Sequence, residues 1–187
     1  MSIDIHAHCI PAELIATLEA DGADFGIELT DDRRAVIAGG KPTMALRDDL
    51  TDFDARIAAL DRAGIEVQVL SSWVHRPAYG LDAEKGERWS RRVNEALAAE
   101  AARRPDRFEA FATAPLQQPE LAAAELRYAT TELGMPGVEI ATTVAGTDLV
   151  SAELEPFWAA AAELGSVVLL HPVGVLPGID LKRHFLD

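Results

Sequence analysis

Residues 3–8 read Ile3-Asp4-Ile5-His6-Ala7-His8, a short apolar strand with two histidines two positions apart at its end. Side chains at i and i+2 leave a strand on the same face, so both imidazoles can turn toward one ion. Near the other end of the chain, Val167-Val168-Leu169-Leu170 forms a second such run, which closes on His171 and is stopped by Pro172. Three histidines therefore fall at the C-terminal ends of two strands, and in an α/β barrel that rim is where active sites are built. Imidazole suits zinc and the neighbouring first-row divalent metals. Taken singly, His6 and His8 could be ordinary strand-end residues and His171 a hydrogen-bonded core histidine; the conjunction of all three points to a metal. By the same alternation Asp4 shares a face with His6, and two roles stay open for it: a hydrogen bond to a ligand histidine, or a cap on the strand.

Outward from these ends, apolar β-branched runs alternate with Ala/Leu/Glu/Arg segments, the pattern of parallel strands joined by crossover helices. Five strands are expected, at Ile3 to His6, Ile65 to Leu70, Phe108 to Thr113, Val138 to Ala141 and Val167 to Leu170. Helices are expected over Asp52 to Ala63, Lys85 to Arg103, Glu120 to Leu133 and Ser151 to Leu164, the last with Ser151 as its N-cap. Gly64, Gly134 and Gly165 punctuate three helix-to-strand junctions. The stretch from Pro11 to Thr51 has weak periodicity and reads as an insertion after the first strand, shaping the mouth of a site. A closed eight-stranded barrel takes roughly 250 residues. The 187 residues here hold about five strand-helix units. An open doubly wound sheet would also fit that length, so the motifs have to decide between them.

Hydrophobic residues make up 49% and charged residues 26%, the composition of one globular domain. A formal net charge of −14 argues against nucleic-acid partners, which need clustered cations, and against an acidic membrane surface. Cys9, the single cysteine, cannot form an intramolecular disulfide and reads as a small buried residue. With no signal-peptide pattern and no long apolar stretch, the expected location is cytoplasmic.

The opening Ile3-Asp4-Ile5-His6-Ala7-His8-Cys9-Ile10-Pro11 resembles the amidohydrolase-related decarboxylases, the aminocarboxymuconate-semialdehyde decarboxylases among them. The likeness continues through Val67-Gln68-Val69-Leu70-Ser71, Ala114 to Ala122, and Glu132-Leu133-Gly134-Met135-Pro136-Gly137-Val138-Glu139-Ile140, and ends with Leu169-Leu170-His171-Pro172. It implies an α/β fold, a partial TIM-type (β/α)8 barrel, with residues 1–187 as the N-terminal part of a single amidohydrolase-type domain incomplete at its C-terminus. It implies that His6, His8 and His171 hold Zn2+ or another divalent metal, and that no organic cofactor is needed.

The resemblance also places Arg47 at a substrate-binding position, where its planar fork suits a carboxylate. A solvated loop arginine beside Asp48 and Asp49 is the other reading of that residue. His75, with Trp73 and Arg76, follows the second strand and is either a substrate contact at the mouth or part of a packed loop. His184 reads as solvent-facing.

The implied reaction is metal-dependent decarboxylation of an unsaturated or aromatic carboxylic acid, in a homodimer whose partner is that small-molecule carboxylate. A metal-dependent hydrolase of an amide, ester or lactone is the alternative on the same site, and an inactive truncated piece is another. Val173 stands where the family typically has an aromatic residue after the His-Pro pair, which leaves the substrate open. The family's catalytic histidine and metal-binding aspartate, after its sixth and eighth strands, have no counterpart here.

Overall fold

The structure, a computed structural model, describes residues 1–38, 40–72, 79–144 and 146–172. Within them the apolar runs become parallel strands and the Ala/Leu/Arg segments become helices. The main strands are β1 (Ile3–Cys9), β5 (Val67–Ser72), β6 (Phe108–Ala112), β7 (Gly137–Ala141) and β10 (Val167–His171). They form one five-stranded sheet in the order β1-β5-β6-β7-β10, with every pairing parallel. Helices α3 (Phe53–Ala63), α4 (Ala83–Arg103), α5 (Pro119–Thr131) and α6 (Glu155–Leu164) lie between successive strands, which makes the chain a partial TIM-type α/β fold.

Leu60, Leu97, Leu126 and Phe157 from these helices join Leu70, Phe108, Val138 and Ile140 from the strands in one core. β5 and β7 are buried along nearly their whole length, as strands covered on both faces must be. Gly64 and Gly165 end α3 and α6 at φ +69° and +62°, a conformation that lets the chain turn directly into the next strand. At Gly137 the reason for glycine is space: a Cβ there would sit 2.4 Å from the Val167 carbonyl oxygen and 2.8 Å from the Phe111 ring.

The structure gives the inserted segment its detail and corrects the start of the last helix. The Pro11–Thr51 stretch is an ordered subdomain: α1 (Ala12–Asp21), a 3-10 turn (Gly22–Phe25), an antiparallel sheet of β2 (Ile27–Leu29), β3 (Ala35–Ala38) and β4 (Lys41–Ala45), and the short α2 (Asp48–Thr51). Leu14, Leu18, Phe25, Ile27 and Val36 carry it into the main core, with the Phe25 and Trp89 rings 5.1 Å apart. Ser151 caps a separate 3-10 turn, Ala152–Leu154, and α6 begins only at Glu155, followed by Pro156 in its first turn. A two-stranded ribbon of β8 (Thr143–Val144) and β9 (Thr147–Asp148) precedes that turn. No helix among the described residues is long and apolar enough to cross a membrane.

A polar knot ties α4, α5 and the end of β6 together. Asn94, fully buried, donates to the Thr113 carbonyl (2.9 Å) and to Glu125 (2.8 Å), and accepts from the Thr113 amide (2.8 Å). Arg91 donates to Glu125 at 2.9 Å with its guanidinium 3.5 Å from the centre of the Tyr128 ring. Burial raises the Glu125 carboxyl above its usual range, opposed by Arg91 and Asn94. Asn94→Ala strips partners from three buried groups, and we expect a loss of about 2 kcal/mol. Urea unfolding at constant m-value measures it, and a loss under about 0.5 kcal/mol would mean that the knot is not a stabilising element.

Candidate metal centre

Pairing between β1 and β5 slips within the His-x-His segment. Asp4 lies opposite Gln68 and Ala7 opposite Leu70, so three steps on β1 match two on β5: a β-bulge. Its effect follows from side-chain contacts. Asp4 Oδ2 accepts from Gln68 Nε2 at 2.7 Å, whereas His8 Nδ1 meets Ser71 Oγ at 3.3 Å. Gln68 and Ser71, three residues apart on one strand, point to opposite faces. Asp4 is thus on the other face of the sheet from His8, correcting the expectation that simple alternation places it beside His6. Its Oδ1 accepts from the His6 backbone amide (3.2 Å), which fastens the bulge.

Beyond the bulge the two imidazoles share a face and meet His171. His6 Nε2 lies 3.2 Å from His8 Nε2, which lies 3.0 Å from His171 Nε2. All three rings stand roughly edge to face, with centroids 4.8–5.0 Å apart. His6 is exposed, His8 intermediate and His171 buried. Three ring nitrogens aimed at one point are poor partners for each other, since each offers the same lone pair or the same proton. A divalent cation would accept all three lone pairs, so the donor set fits one metal ion. Burial, followed by the neighbouring His6, holds His171 below the ordinary imidazole range and so in the neutral, ligating form. Its strand end is fixed by the Thr142 amide, which donates to the His171 carbonyl at 3.2 Å.

Sequence reasoning gave no role to Arg56. From α3 it donates to the His8 carbonyl (2.8 Å), to the Asp49 carbonyl (2.6 Å) and to Gln68 Oε1 (2.9 Å). With Gln68 and Asp4 it forms a chain that grips the backbone on both sides of Ala7. Nothing local in the sequence marks an arginine that bonds carbonyls 48 and 7 residues away. Glu139 did carry a signal, a charge in the buried run Gly137-Val138-Glu139-Ile140-Ala141. Its carboxyl is raised to about 7 by burial.

Arg47 occupies the N-cap position of α2 without a capping bond from its side chain, and its fork is closed on Asp49, Nε to Oδ1 at 2.9 Å and Nη2 to Oδ2, in an exposed ion pair. α2 is bound to the end of β1 through the Ile10 amide, which donates to the Leu50 carbonyl at 2.8 Å. His75, with Trp73 and Arg76, lies outside the described residues, as do Val173 and His184. Cys9 is fully buried, with burial raising its thiol to about 12, which leaves it inert.

A family model described as Amidohydrolase matches residues 3–183 of this chain. The gamma-resorcylate decarboxylase of Rhodococcus jostii (strain RHA1) is 38% identical over 130 residues, an alignment covering 64% of this chain and 39% of that protein. The 2-amino-3-carboxymuconate-6-semialdehyde decarboxylase of Dictyostelium discoideum is 27% identical over 175 residues, covering 92% and 49% respectively. Among solved structures, a dihydroxybenzoic acid decarboxylase from Polaromonas sp. JS666, with bound manganese and the inhibitor 2-nitroresorcinol, superimposes at a TM-score of 0.68 and 28% identity. That match covers 98% of this chain and 52% of the other, so the chain spans about half the length of such relatives or less.

Proposed function

Because the chain belongs to the amidohydrolase family, we propose that it supplies the metal-binding part of a carboxy-lyase that decarboxylates a small unsaturated or aromatic carboxylic acid. The observation that carries this is the convergence of His6, His8 and His171 Nε2, together with relatives that are decarboxylases by name. In this reading the three histidines hold zinc or another divalent ion, such as the manganese of the Polaromonas enzyme. A divalent cation at such a site supplies Lewis-acid polarisation of substrate oxygens.

The chain's own residues do the holding and orienting. His171 enters as a neutral ligand from a buried strand end. His6 and His8 approach from the bulged strand whose backbone Arg56 grips. Arg47 orients the substrate carboxylate, which has to take the place of the Asp49 carboxylate on the same fork. His75 is retained as a candidate contact at the mouth. The reading takes the enzyme as cytoplasmic, in keeping with its single buried cysteine, and takes a homodimer from the family resemblance alone.

Metal-reconstituted protein incubated with a dihydroxybenzoate, with released carbon dioxide measured, tests the assignment. Carbon dioxide should appear only with metal present. Arg47→Ala should raise KM about tenfold with little change in kcat, since one charged hydrogen-bonded contact is worth about 1.5 kcal/mol. Metal-dependent hydrolysis of a lactone or amide with no carbon dioxide release would move the assignment to a hydrolase. Absence of both activities from metal-loaded protein would sink the catalytic claim for this chain.

A further inference from the structure

Arg56 joins, on one guanidinium, the two parts of the proposed site. Its Nη2 donates to the His8 carbonyl at 2.8 Å and to the Asp49 carbonyl at 2.6 Å. His8 belongs to the histidine cluster, while Asp49 belongs to α2 and closes the fork of Arg47 with its carboxylate. Asp49 is therefore held twice, by Arg56 at its backbone and by Arg47 at its side chain. A second bond joins neighbouring residues of the same two segments, from the Ile10 amide to the Leu50 carbonyl at 2.8 Å. One attachment would let α2 swivel about it, whereas two fix its direction.

The rest of the fork reaches the bulge from the other side. Nη1 donates to Gln68 Oε1 at 2.9 Å, Gln68 Nε2 donates to Asp4 Oδ2 at 2.7 Å, and Asp4 Oδ1 accepts from the His6 amide at 3.2 Å. This chain has a single sense. A guanidinium only donates and an ionised carboxylate only accepts, so the Gln68 amide turns its oxygen to Arg56 and its nitrogen to Asp4. Bonds from one side chain thus end on the backbone of both ligand-bearing residues of β1. Gln68 is 6% exposed, so water competes little for the link. A lysine cannot do the same, because its ammonium is one point on a flexible stem and the planar fork meets three acceptors at once.

Arg107 supplies a contrast. It also grips backbone, donating to the Glu66 and Ile65 carbonyls at 2.9 and 3.2 Å and pairing with Asp61 at 2.8 Å. Its bonds fall before the start of β5, at the end of the sheet away from the histidines.

We propose that Arg56 is a positioning residue that couples the two parts of the site, fixing the strand that presents His6 and His8 to the α2 segment that presents Arg47. Metal binding at the histidines then orders the carboxylate-binding segment, although Arg56 bonds only the backbone of each part. This rests on the metal-centre and Arg47 readings above.

The test pairs a zinc titration of metal-stripped protein against a chromogenic chelator with amide hydrogen exchange at Leu50 and Asp52. Those amides donate to the Arg47 and Asp48 carbonyls and report the order of α2. Arg56→Met should weaken zinc binding about 10–100-fold, the usual worth of groups that orient metal ligands from behind. It should also speed exchange in metal-free α2 about tenfold. In wild type, zinc should slow the α2 amides about fivefold, and in Arg56→Met it should leave them unchanged. Arg56→Lys should behave as Arg56→Met does, and takes its place should the methionine variant fail to fold. Asp4→Asn, which sets a donor against a donor in the chain, should weaken zinc about tenfold and leave α2 exchange as in wild type, because Asp4 has no bond to α2. Arg107→Met should keep the zinc affinity of wild type.

Wild-type zinc affinity in Arg56→Met, α2 exchange indifferent to Arg56, full affinity in Arg56→Lys, or an equal loss in Arg107→Met would each overturn the coupling. Should wild type take up no zinc, the metal-centre reading falls, and the metal-free exchange alone then upholds or overturns the tie between Arg56 and α2.

Discussion

Replacing His8 by alanine should weaken the binding of a divalent ion about 100-fold, and replacing His6 and His8 together about 10⁴-fold. The reasoning starts from complete four-ligand zinc sites, which bind with roughly 10–16 kcal/mol of apparent free energy. About 3 kcal/mol per ligand follows, or about two decades in affinity each. The fold should survive these changes. His6 is exposed and His8 only partly buried, and neither belongs to the hydrophobic core, so the metal-free unfolding midpoint should stay near that of wild type. His171 is a worse choice for the experiment, being 5% exposed at a strand end, where packing and ligation would be lost together. Metal content by plasma emission after dialysis, with zinc-dependent protection against thermal unfolding, reads the result. A double variant that retains the metal of wild type would exclude the histidine cluster as the site.

Most of the frame for this site was readable in the residues. Short apolar runs between glycines at αL positions locate β5, β7 and β10 to within two residues. His171 falls at a strand end because Pro172 cannot continue the ladder. Two kinds of feature escaped, for different physical reasons. The bulge between Asp4 and Ala7 depends on register against β5, which no local pattern encodes, so alternation put Asp4 on the wrong face. The Pro11–Thr51 subdomain escaped because its pieces are short. β2 has three residues, α1 lacks a side-chain cap, and its order comes from Leu14, Phe25 and Ile27 docking onto α4 and its neighbours. Arg56 escaped because its role consists of long-range bonds to carbonyls. Glu139 went unassigned too, although a charge inside a strand buried on both faces asks for an explanation.

That charge sets the second large effect. In metal-free protein the Glu139 carboxyl, at 2% exposure, is raised from 4.5 to about 7. The folded state therefore keeps this proton over the interval in which the unfolded chain releases it. The contribution of Glu139 to stability is fully present below about pH 4.5, declines through the window up to about pH 7, and is flat above it. Across that window the difference amounts to on the order of 3 kcal/mol. Glu139→Gln carries no titrating proton, so metal-free variant and wild type should be close in stability at pH 4 and separate as pH rises, with the variant the more stable at pH 8. Urea midpoints at the two pH values measure the gap, and a variant equally or less stable than wild type at pH 8 would show that the buried carboxylate is not under strain.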